Sequence, residues 1–349
     1  MKAAIMYDIN NVHIEEVPKP SISDNDILIK IDSCSICGSD LRIIANGSSR
    51  IKFPQILGHE IAGKIVEIGK KVNKKFKIGD KVALSADIPC GLCEWCKNGV
   101  GNHCSNTIAF GYETQGGFAE YLKIDERIIN YGPLCIIDDT ENRQDEYSLS
   151  EPLACCINGY ELCNIKLGHK VLIIGAGPMG CMLSELGYIM GASTVILTDI
   201  DPIRINIAKK SIHADEYVLS TNENLMEIYK KYTNGQGFDI IIVACPSVDA
   251  QEISLKLIKR KGIINFFAGL PGTDRDISFK SNIIHYNEIF ITGSHGSTPL
   301  QHKKAVELIK KRKINLSNII SKKFKLDDFN EAIKELREDK SNLKIVINP

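Results

Sequence analysis

The amino-acid sequence predicts an α/β protein of two domains, in which a doubly wound parallel sheet follows a β-rich domain. The chain has 349 residues, more than one typical domain holds. Up to about residue 150, short apolar runs are interrupted by Gly, Pro, Asn and Asp, whereas strands alternate with helices beyond it. We therefore assign residues 1–151 to the first domain, 152–290 to the second and 291–349 to a C-terminal segment.

Composition excludes several classes of protein. The 43 Lys and Arg residues balance 43 Asp and Glu residues, so the chain has no net positive field to hold a nucleic acid. No apolar run approaches the length of a membrane span, and the first residues lack the apolar core of a signal peptide. We therefore expect a cytoplasmic protein whose 12 cysteines stay reduced, so that clustered cysteines indicate metal sites.

The first domain is predicted from short strands bounded by turn residues. The polar run at 138–146, DDTENRQDE, has no apolar periodicity, so we expect an exposed loop there. The predicted strands are 3–6, 27–31, 61–68, 82–84 and 118–122.

The second domain is predicted from alternating strands and helices. Residues 171–174 are wholly apolar, as expected of a strand that is covered on both faces. The predicted strands are 171–174, 194–198, 217–219, 239–244 and 263–267, and the predicted helices are 178–190, 203–210, 223–232 and 250–260. Thr298 and Pro299 are typical of a helix start, and we predict helices at 299–312 and 327–338 and a last strand at 345–347.

Four cysteines, Cys90, Cys93, Cys96 and Cys104, lie in the segment PCGLCEWCKNGVGNHC. Two successive x2 spacings bring three thiolates around one tight turn, and seven intervening residues let the fourth close a tetrahedron. A Zn²⁺ site with four sulfurs is closed and structural. The alternatives are chance cysteines in a Gly-rich loop and a nucleic-acid-binding zinc finger, but no basic helix follows.

Cys37, His59 and Glu60 form a second, less regular group, in CSICGSD and GHE. They could supply S, N and O ligands to a catalytic zinc that keeps a fourth position open. Without further evidence, a buried cysteine and a surface His–Glu pair explain the same residues, and both of these arrangements are commoner than a zinc site. A redox pair of Cys34 and Cys37 is a third interpretation, although no thioredoxin-like βαβ pattern surrounds it.

A glycine loop follows the strand at 171–174. The sequence GAGPMG has the G-x-G-x-x-G pattern between a predicted strand and a predicted helix. Gly175 would make the turn, Gly177 would let the backbone approach a pyrophosphate, and Gly180 would let the helix pack closely. Asp199 ends the next strand, where a carboxylate binds ribose hydroxyls and repels a 2′-phosphate, which favours NAD over NADP. The alternative is a Gly-rich turn without a ligand.

These motifs together resemble the zinc-dependent medium-chain alcohol dehydrogenases, and the polyol branch with sorbitol, galactitol-phosphate and threonine 3-dehydrogenases most of all. CGSD, GHEIAGKIVEIG, GDKV, the four-cysteine loop, GGFAEY, EPLA and GAGPMG recur at the family's spacing over essentially the whole chain. The resemblance implies a GroES-like catalytic domain with both zincs, a Rossmann NAD-binding domain and a C-terminal return to the first domain.

The resemblance also implies the roles of individual side chains around the catalytic zinc. Glu151 would lie beside the metal and enter or leave its coordination shell, Asp40 would orient the ligand histidine, and Ser39 would take the substrate proton. The implied ligands are Cys37, His59, Glu60 and Glu151 for the catalytic zinc and Cys90, Cys93, Cys96 and Cys104 for the structural zinc.

On the cofactor side, the resemblance implies a pyrophosphate loop, an adenosine pocket and a nicotinamide pocket. Arg204 could equally be a solvated helix residue, and His295 a loop histidine without a ligand. The implied residues are Gly175, Gly177, Pro178, Met179 and Gly180 at the pyrophosphate, Asp199 and Arg204 at the adenosine, and Ala268, Gly269, Leu270, His295 and Gly296 near the nicotinamide.

The chain departs from the family pattern at two positions. Arg42 stands where many members carry a histidine that completes a proton relay, and an arginine does not act as a base near neutral pH. Gly296 stands near the substrate-binding arginine of sorbitol dehydrogenases, which argues against simple sorbitol specificity. Arg42, Arg50 and Lys52 could meet a phosphorylated substrate or belong to a solvated surface.

We thus expect a zinc-dependent enzyme that transfers a hydride between NAD(H) and a secondary alcohol or ketone. The substrate would be a polyol, a sugar alcohol with or without phosphate, or a cyclitol; a simple alcohol or L-threonine is the alternative. In the reaction, zinc would lower the pKa of the substrate hydroxyl and Ser39 would accept its proton. A homodimer or homotetramer without nucleic-acid or membrane partners is expected, and an inactive binding protein is the alternative from another class.

Overall fold

The computed structural model describes residues 1–272 and 275–349, which form two compact units. Unit 1 consists of Met1–Ala154 and Gly296–Pro349, and unit 2 consists of Cys155–His295. Unit 1 is thus built from both ends of the chain, with unit 2 inserted in sequence between them.

Unit 1 is dominated by antiparallel sheets. A seven-stranded sheet has the order β10-β6-β5-β3-β18-β17, with β9 also paired to β3, and two smaller sheets have the orders β2-β1-β4 and β7-β8. The strands are β1 (Lys2–Asp8), β2 (Asn11–Glu16), β3 (Ile27–Ser35), β4 (Gln55–Ile56), β5 (Glu60–Ile68), β6 (Lys81–Leu84), β7 (Asp87–Ile88), β8 (Ile108–Ala109), β9 (Tyr121–Ile124), β10 (Leu134–Ile137), β17 (Ile320–Lys325) and β18 (Lys344–Asn348).

Helices pack against these sheets, and the apolar strand faces form the core of unit 1. Phe118, Phe329, the isoleucines of β3, and Ile61 and Ile65 of β5 are among the fully buried side chains. The helices are α1 (Gly38–Asn46), α2 (Glu94–Lys97), α3 (Glu126–Tyr131), α4 (Gln144–Ser148), α11 (Pro299–Lys310) and α12 (Phe329–Glu338), and α5 (Ser150–Leu162) begins in this unit.

Unit 2 is a six-stranded parallel sheet with the strand order β13-β12-β11-β14-β15-β16. This is the order of dinucleotide-binding doubly wound folds, in which ligands bind at the carboxyl ends of the strands. The elements are β11 (His169–Ile174), α6 (Pro178–Ile189), β12 (Ala192–Asp199), α7 (Pro202–Ser211), β13 (Glu216–Leu219), α8 (Asn222–Thr233), β14 (Phe238–Val243), α9 (Val248–Leu257), β15 (Ile258–Phe266), α10 (Ser281–Asn287) and β16 (Phe290–Gly293).

Three predicted elements differ from the structure. The helix predicted at 250–260 ends at Leu257, because β15 already begins at Ile258 and pairs with Phe238 there. The strand predicted at 118–122 begins at Tyr121, and Phe118 instead exchanges backbone hydrogen bonds with Leu57 and Ala4.

The third difference is the predicted loop at 138–146, of which only part is exposed. Helix α4 begins at Gln144, whose side chain is buried and donates to the carbonyl of Gly63. Asp139 accepts a hydrogen bond from Tyr147 and pairs with Arg143 at 2.5 Å. Polar side chains that bond to one another can be packed, which a hydropathy pattern does not reveal.

No helix within residues 1–272 and 275–349 combines the length and the apolar character that a bilayer crossing requires. All 12 cysteines are free thiols in the structure.

Candidate active site

The four cysteines of the loop between β7 and β8 converge in unit 1. Their sulfur atoms all lie within 4.8 Å of one another. The Sγ–Sγ distances are 3.4 Å for Cys93–Cys96, 3.8 Å for Cys93–Cys104 and 3.9 Å for Cys90–Cys96. Four sulfurs at about 2.3 Å from a central Zn²⁺ would lie about 3.8 Å apart in a tetrahedron. The spacing of the four sulfurs therefore fits one zinc ion.

Backbone N–H groups around this loop favour thiolates. Cys93 and Leu92 donate to Sγ of Cys90 at 3.4 and 3.5 Å, and Cys90 donates to Sγ of Cys104 at 3.2 Å. Hydrogen bonds from the backbone at Cys96 and Ser105 lower the pKa of Cys93 to about 6. Since a thiolate is the form that binds metal, the loop is prepared for a cation.

The second cluster joins Cys37, His59 and Glu60, whose ligand atoms also lie within 4.8 Å of one another. Cys37 is the N-cap of α1, and Glu60 begins β5 opposite Ser35 of β3. His59 precedes Glu60 and is buried. The end of one strand, the start of the next and a helix N-terminus thus bring a sulfur, a nitrogen and an oxygen to one point.

Asp40 lies behind the imidazole of His59. Its Oδ1 is 3.5 Å from Nδ1 of His59, and its Oδ2 accepts from the backbone N–H of Cys37 at 2.9 Å. Burial lowers the pKa of His59, but the electrostatic influence of Asp40 and Cys37 outweighs it, so that the pKa is raised well above its usual value. A buried imidazole between a carboxylate and a sulfur attracts positive charge, and a divalent cation bound by these donors satisfies the same demand.

Glu60 has two further partners besides its place in this cluster. Nζ of Lys344 donates to both carboxylate oxygens, at 2.6 Å to Oε2, and the hydroxyl of Ser35 donates to Oε2. Lys344, the first residue of β18, is 2% exposed. Burial lowers its pKa, but the charge of Glu60 raises it more, so Lys344 is a buried cation.

Glu151, in the first turn of α5, is buried but does not belong to the Cys37–His59–Glu60 set in the part of the chain that the structure describes. Burial raises its pKa, the charge of His59 lowers it and the charge of Glu60 raises it, and the net result is a pKa of about 7. The structure therefore brings three of the four predicted catalytic-zinc ligands together and sets Glu151 close enough to interact electrostatically with two of them.

Ser39 and Tyr112 form the polar side of the cluster that water can reach. Oγ of Ser39 is 3.4 Å from Nε2 of His59, and its hydroxyl lies near enough to the phenol of Tyr112 to influence it. The Tyr112 ring lies 6.0 Å from the His59 ring, centroid to centroid. Both Ser39 and Tyr112 are only partly buried, so their hydroxyls connect the cluster with solvent.

Arg50 packs on Tyr112 and is already paired. Its guanidinium lies 4.5 Å over the Tyr112 ring and donates to the two carboxylate oxygens of Glu113 at 2.8 and 2.9 Å. This bidentate pair neutralises the charge of Arg50 and occupies two of its donors. Arg42 and Lys52, the other two basic residues considered for a substrate phosphate, are exposed.

In unit 2, the glycine loop has the geometry that its pattern predicts. Gly175 has a φ of 115°, and a Cβ on Gly180 would lie 1.7 Å from the carbonyl oxygen of Gly175, so neither position accepts another residue. A Cβ on Gly177 would meet the end of the flexible Arg204 side chain at 3.4 Å. Gly177 is also the N-cap of α6, where no side chain caps the helix, and Pro178 and Met179 begin that helix. An uncapped helix N-terminus with room above it fits a pyrophosphate.

Asp199 closes the other side of this loop at the end of β12. Its Oδ2 accepts from the N–H of Ala176 at 2.7 Å, and its Oδ1 accepts from the N–H of Asp201 at 2.9 Å. These bonds hold the carboxylate in place, and each oxygen keeps a lone pair for a ligand hydroxyl.

The remaining predicted cofactor residues follow the carboxyl ends of β15 and β16. Ala268 donates its N–H to the carbonyl of Val243 at 3.0 Å, and Gly269 and Leu270 come directly after it. The carbonyl of His295 accepts from Asn158 at 3.3 Å. Gly296 belongs to unit 1, where it has a φ of 58° and a Cβ would lie 2.3 Å from Oδ2 of Asp87. The positive φ therefore favours a glycine at this position, whatever its role toward a cofactor.

Comparison with known proteins decides the family. Residues 23–133 match the alcohol dehydrogenase GroES-like domain, and residues 178–311 match the zinc-binding dehydrogenase domain. The chain is 30% identical to sorbitol dehydrogenase of Bacillus subtilis (strain 168), with 100% of this chain and 97% of the relative covered. It is 31% identical to scyllo-inosose 3-dehydrogenase of Thermotoga maritima, with 96% and 89% covered.

A solved structure agrees with these relatives. A zinc-binding dehydrogenase of Sinorhizobium meliloti 1021 bound to NADP superimposes with a TM-score of 0.89 at 27% identity, covering 100% of this chain and 99% of that one. The chain belongs to the zinc-binding dehydrogenase family. The predicted family, the predicted pairing of a GroES-like domain with a Rossmann domain and the predicted oxidoreductase class are thereby confirmed.

Sequence reasoning missed two residues of this dehydrogenase that contact the predicted site. Lys344 lies 284 residues from Glu60 along the chain and sits in a short, mostly apolar strand. A lysine within such a strand is an unusual feature and was the available signal, since a buried lysine requires a partner. Tyr112 lies in an ordinary glycine-rich segment, and no local pattern marks it.

Proposed function

We propose that this dehydrogenase transfers a hydride between NAD(H) and a secondary alcohol or ketone of the polyol or cyclitol type. The observation that carries the proposal is the meeting of Cys37, His59 and Glu60 within 4.8 Å, beside the hydroxyl of Ser39. Three mixed donors with a hydroxyl next to them are typical of a catalytic zinc, whereas four sulfurs are typical of a structural one. The kinship with enzymes named for sorbitol and scyllo-inosose supports the substrate class.

Zinc at Cys37, His59 and Glu60 would supply a Lewis acid, and NAD bound at the glycine loop would accept the hydride. The chain's own residues would handle the proton. Ser39 would accept it from the substrate hydroxyl and pass its own hydrogen to the phenol oxygen of Tyr112, which is partly exposed and would release its own proton to solvent. This path would take the place of the family's histidine relay, which this chain lacks because Arg42 stands at the position of that histidine. Asp40 would hold the His59 ring in a fixed orientation.

NAD rather than NADP is the proposed cofactor. The fixed carboxylate of Asp199 would accept hydrogen bonds from ribose hydroxyls and repel a 2′-phosphate. The positive charge of Arg204, which lies near Gly177, would attract a 2′-phosphate and partly offset that repulsion. Replacing Asp199 with Ala should weaken NAD binding and lower the NAD/NADP preference at least 10-fold in kcat/KM. Unchanged cofactor kinetics would remove Asp199 from the cofactor site.

We propose a small alcohol or ketone as the partner, a cytoplasmic location, and a homodimer or homotetramer without nucleic-acid or membrane partners. Strand β16 at the edge of the parallel sheet supports self-association, because it exposes its backbone edge and the side chain of Phe290. The free state of all 12 cysteines agrees with a reducing compartment.

The proposal is tested by an NAD-reduction screen with the purified protein. Polyols, their phosphates, cyclitols, simple alcohols and L-threonine form the arms of the screen. We expect turnover with a polyol or a cyclitol, and little gain from a substrate phosphate because Arg50 is paired with Glu113. Turnover restricted to L-threonine or simple alcohols would contradict the substrate class, and no turnover with a full complement of zinc would favour an inactive binding protein.

A further inference from the structure

The buried cation Lys344 is the most unusual group near the candidate zinc ligands. Its Nζ donates to both oxygens of Glu60 and, at 3.2 Å, to the carbonyl of Ile36. A lysine that is 2% exposed must be paired, since burying an unpaired ammonium group is strongly unfavourable. All three of its donors are used within unit 1.

The hydrogen bonds of Glu60 limit what this carboxylate can offer a metal. An ionised carboxylate has about four acceptor positions, two on each oxygen. Oε2 accepts from Lys344 and Ser35, and Oε1 accepts from Lys344. One position is left, on Oε1, so Glu60 can bind a metal through one oxygen while it keeps all these partners.

The charges near the site also weaken the attraction between Glu60 and a zinc ion. A Cys37 thiolate and a Glu60 carboxylate together balance the two charges of Zn²⁺. Lys344 adds a third positive charge, which repels the metal and shares the negative charge of Glu60. Inside the protein this repulsion is screened less than in water.

We propose that Lys344 is a positioning residue that competes with the catalytic zinc for Glu60 and thereby keeps Glu60 an exchangeable ligand. This inference rests on the proposed function, because it concerns the same zinc. Removing the cation leaves Glu60 with the metal as its main counter-charge. Zinc is then held more tightly, and Glu60 exchanges from the metal more slowly.

The test measures zinc loss from the whole protein to an absorbing chelator such as 4-(2-pyridylazo)resorcinol. Lys344→Met keeps most of the length of the side chain and removes the charge. Of the two zincs expected in the wild type, one should be released faster than the other. We expect this zinc to leave the Lys344→Met variant at least 10-fold more slowly, and we expect kcat to be lower. Lys322→Met is the matched control: Lys322 lies on the neighbouring strand β17, pairs with Glu335 at 2.5 Å on the surface, and should not alter zinc loss.

A double-mutant comparison assigns the effect to Glu60. In a Glu60→Gln background, Lys344→Met should change zinc loss less than 3-fold, because the shared carboxylate is gone. Ser35→Ala covers the case that Lys344→Met does not fold. It frees one acceptor position on Oε2 and should slow zinc loss 2- to 3-fold.

The outcomes separate this inference from the proposed function. Wild-type protein that holds one zinc or none would sink the proposed function. The role of Lys344 alone would be overturned if the wild-type protein held two zincs and Lys344→Met lost zinc faster or at an unchanged rate. If Lys344→Met does not fold, the same result in Ser35→Ala would overturn it.

Discussion

The two candidate metal sites of unit 1 differ in how the chain builds them. The four sulfurs of Cys90, Cys93, Cys96 and Cys104 come from one loop, and backbone N–H groups of the same loop support them. The donors Cys37, His59 and Glu60 come from separate elements, and Lys344 reaches them from the far end of the chain. A local loop suits a closed structural site, whereas a site assembled from several elements can leave room for substrate.

The groups around the two sites also suit one site to structure and the other to catalysis. The cysteine loop offers sulfur only, which fills the coordination of zinc and leaves no position for chemistry. The second site has a hydroxyl at Ser39, a phenol at Tyr112 and a carboxyl at Glu151 whose pKa is raised to about 7. A carboxyl that titrates near neutral pH therefore lies beside the second cluster, together with two hydroxyls.

The largest expected effect comes from deleting one sulfur at each site. Cys37→Ala should lower kcat/KM by at least about 1,000-fold while NAD binding and one zinc are kept, because a catalytic ligand is lost. Cys93→Ser should lose the other zinc and lower the melting temperature of the protein, because a structural zinc contributes directly to folding. Metal analysis, calorimetry and steady-state kinetics give the three readouts.

Cys163→Ala is the control for both cysteine variants, since Cys163 is buried in unit 2 and should leave both zincs in place. If Cys37→Ala kept its turnover, or if Cys93→Ser kept its zinc and its melting temperature, the division of roles between the sites would be wrong.

A smaller effect is expected from Tyr112→Phe, which tests the solvent side of the second site. Loss of the phenol hydroxyl near Ser39 should lower kcat about 3- to 10-fold, the effect of one neutral hydrogen bond, and leave NAD affinity unchanged. Kinetics with the substrate found in the screen measure it. Arg50→Ala, which removes the guanidinium over the ring, should change kcat less than Tyr112→Phe does; the reverse order would show that Arg50 itself serves the reaction.

The smallest effect concerns stability away from both sites, at the buried His302. The hydroxyl of Ser150 donates to the carbonyl of Tyr147, so it must accept from Nε2–H of His302 at 2.9 Å. Nδ1 of His302 is then free to accept from Cys135 at 3.5 Å. Burial lowers the pKa of His302 to about 3. Between about pH 6.5 and pH 3 the unfolded chain binds a proton that the folded chain does not, so the free energy of unfolding falls as the pH decreases.

His302→Gln should cost about 1–3 kcal/mol of stability near pH 7.5, and its disadvantage should shrink toward pH 4. Denaturant unfolding at several pH values measures both quantities. His13→Gln, at an exposed histidine of unit 1, should follow the wild type. A constant gap between wild type and His302→Gln across this pH range would mean that His302 does not titrate as described.

How much the sequence predicts depends on whether a feature is local. The cysteine loop and the glycine loop each depend on residues close in sequence, and the structure brings them together as their spacing predicts. The pairing of Glu60 with Lys344 depends on β18 lying beside β3, and no local pattern contains that neighbourhood. Arg50 could be noted as basic from the sequence, but Glu113 as its partner became visible only in the structure.

The central claim is that one unit holds two metal sites of different kinds, one open and one closed. The most direct measurement follows zinc content and activity together while purified wild-type protein is treated with a chelator. We predict two zincs per chain, of which one leaves readily together with all activity while the fold persists, and the other leaves only as the protein unfolds. A single zinc, or two zincs that leave together with the fold, would contradict the claim.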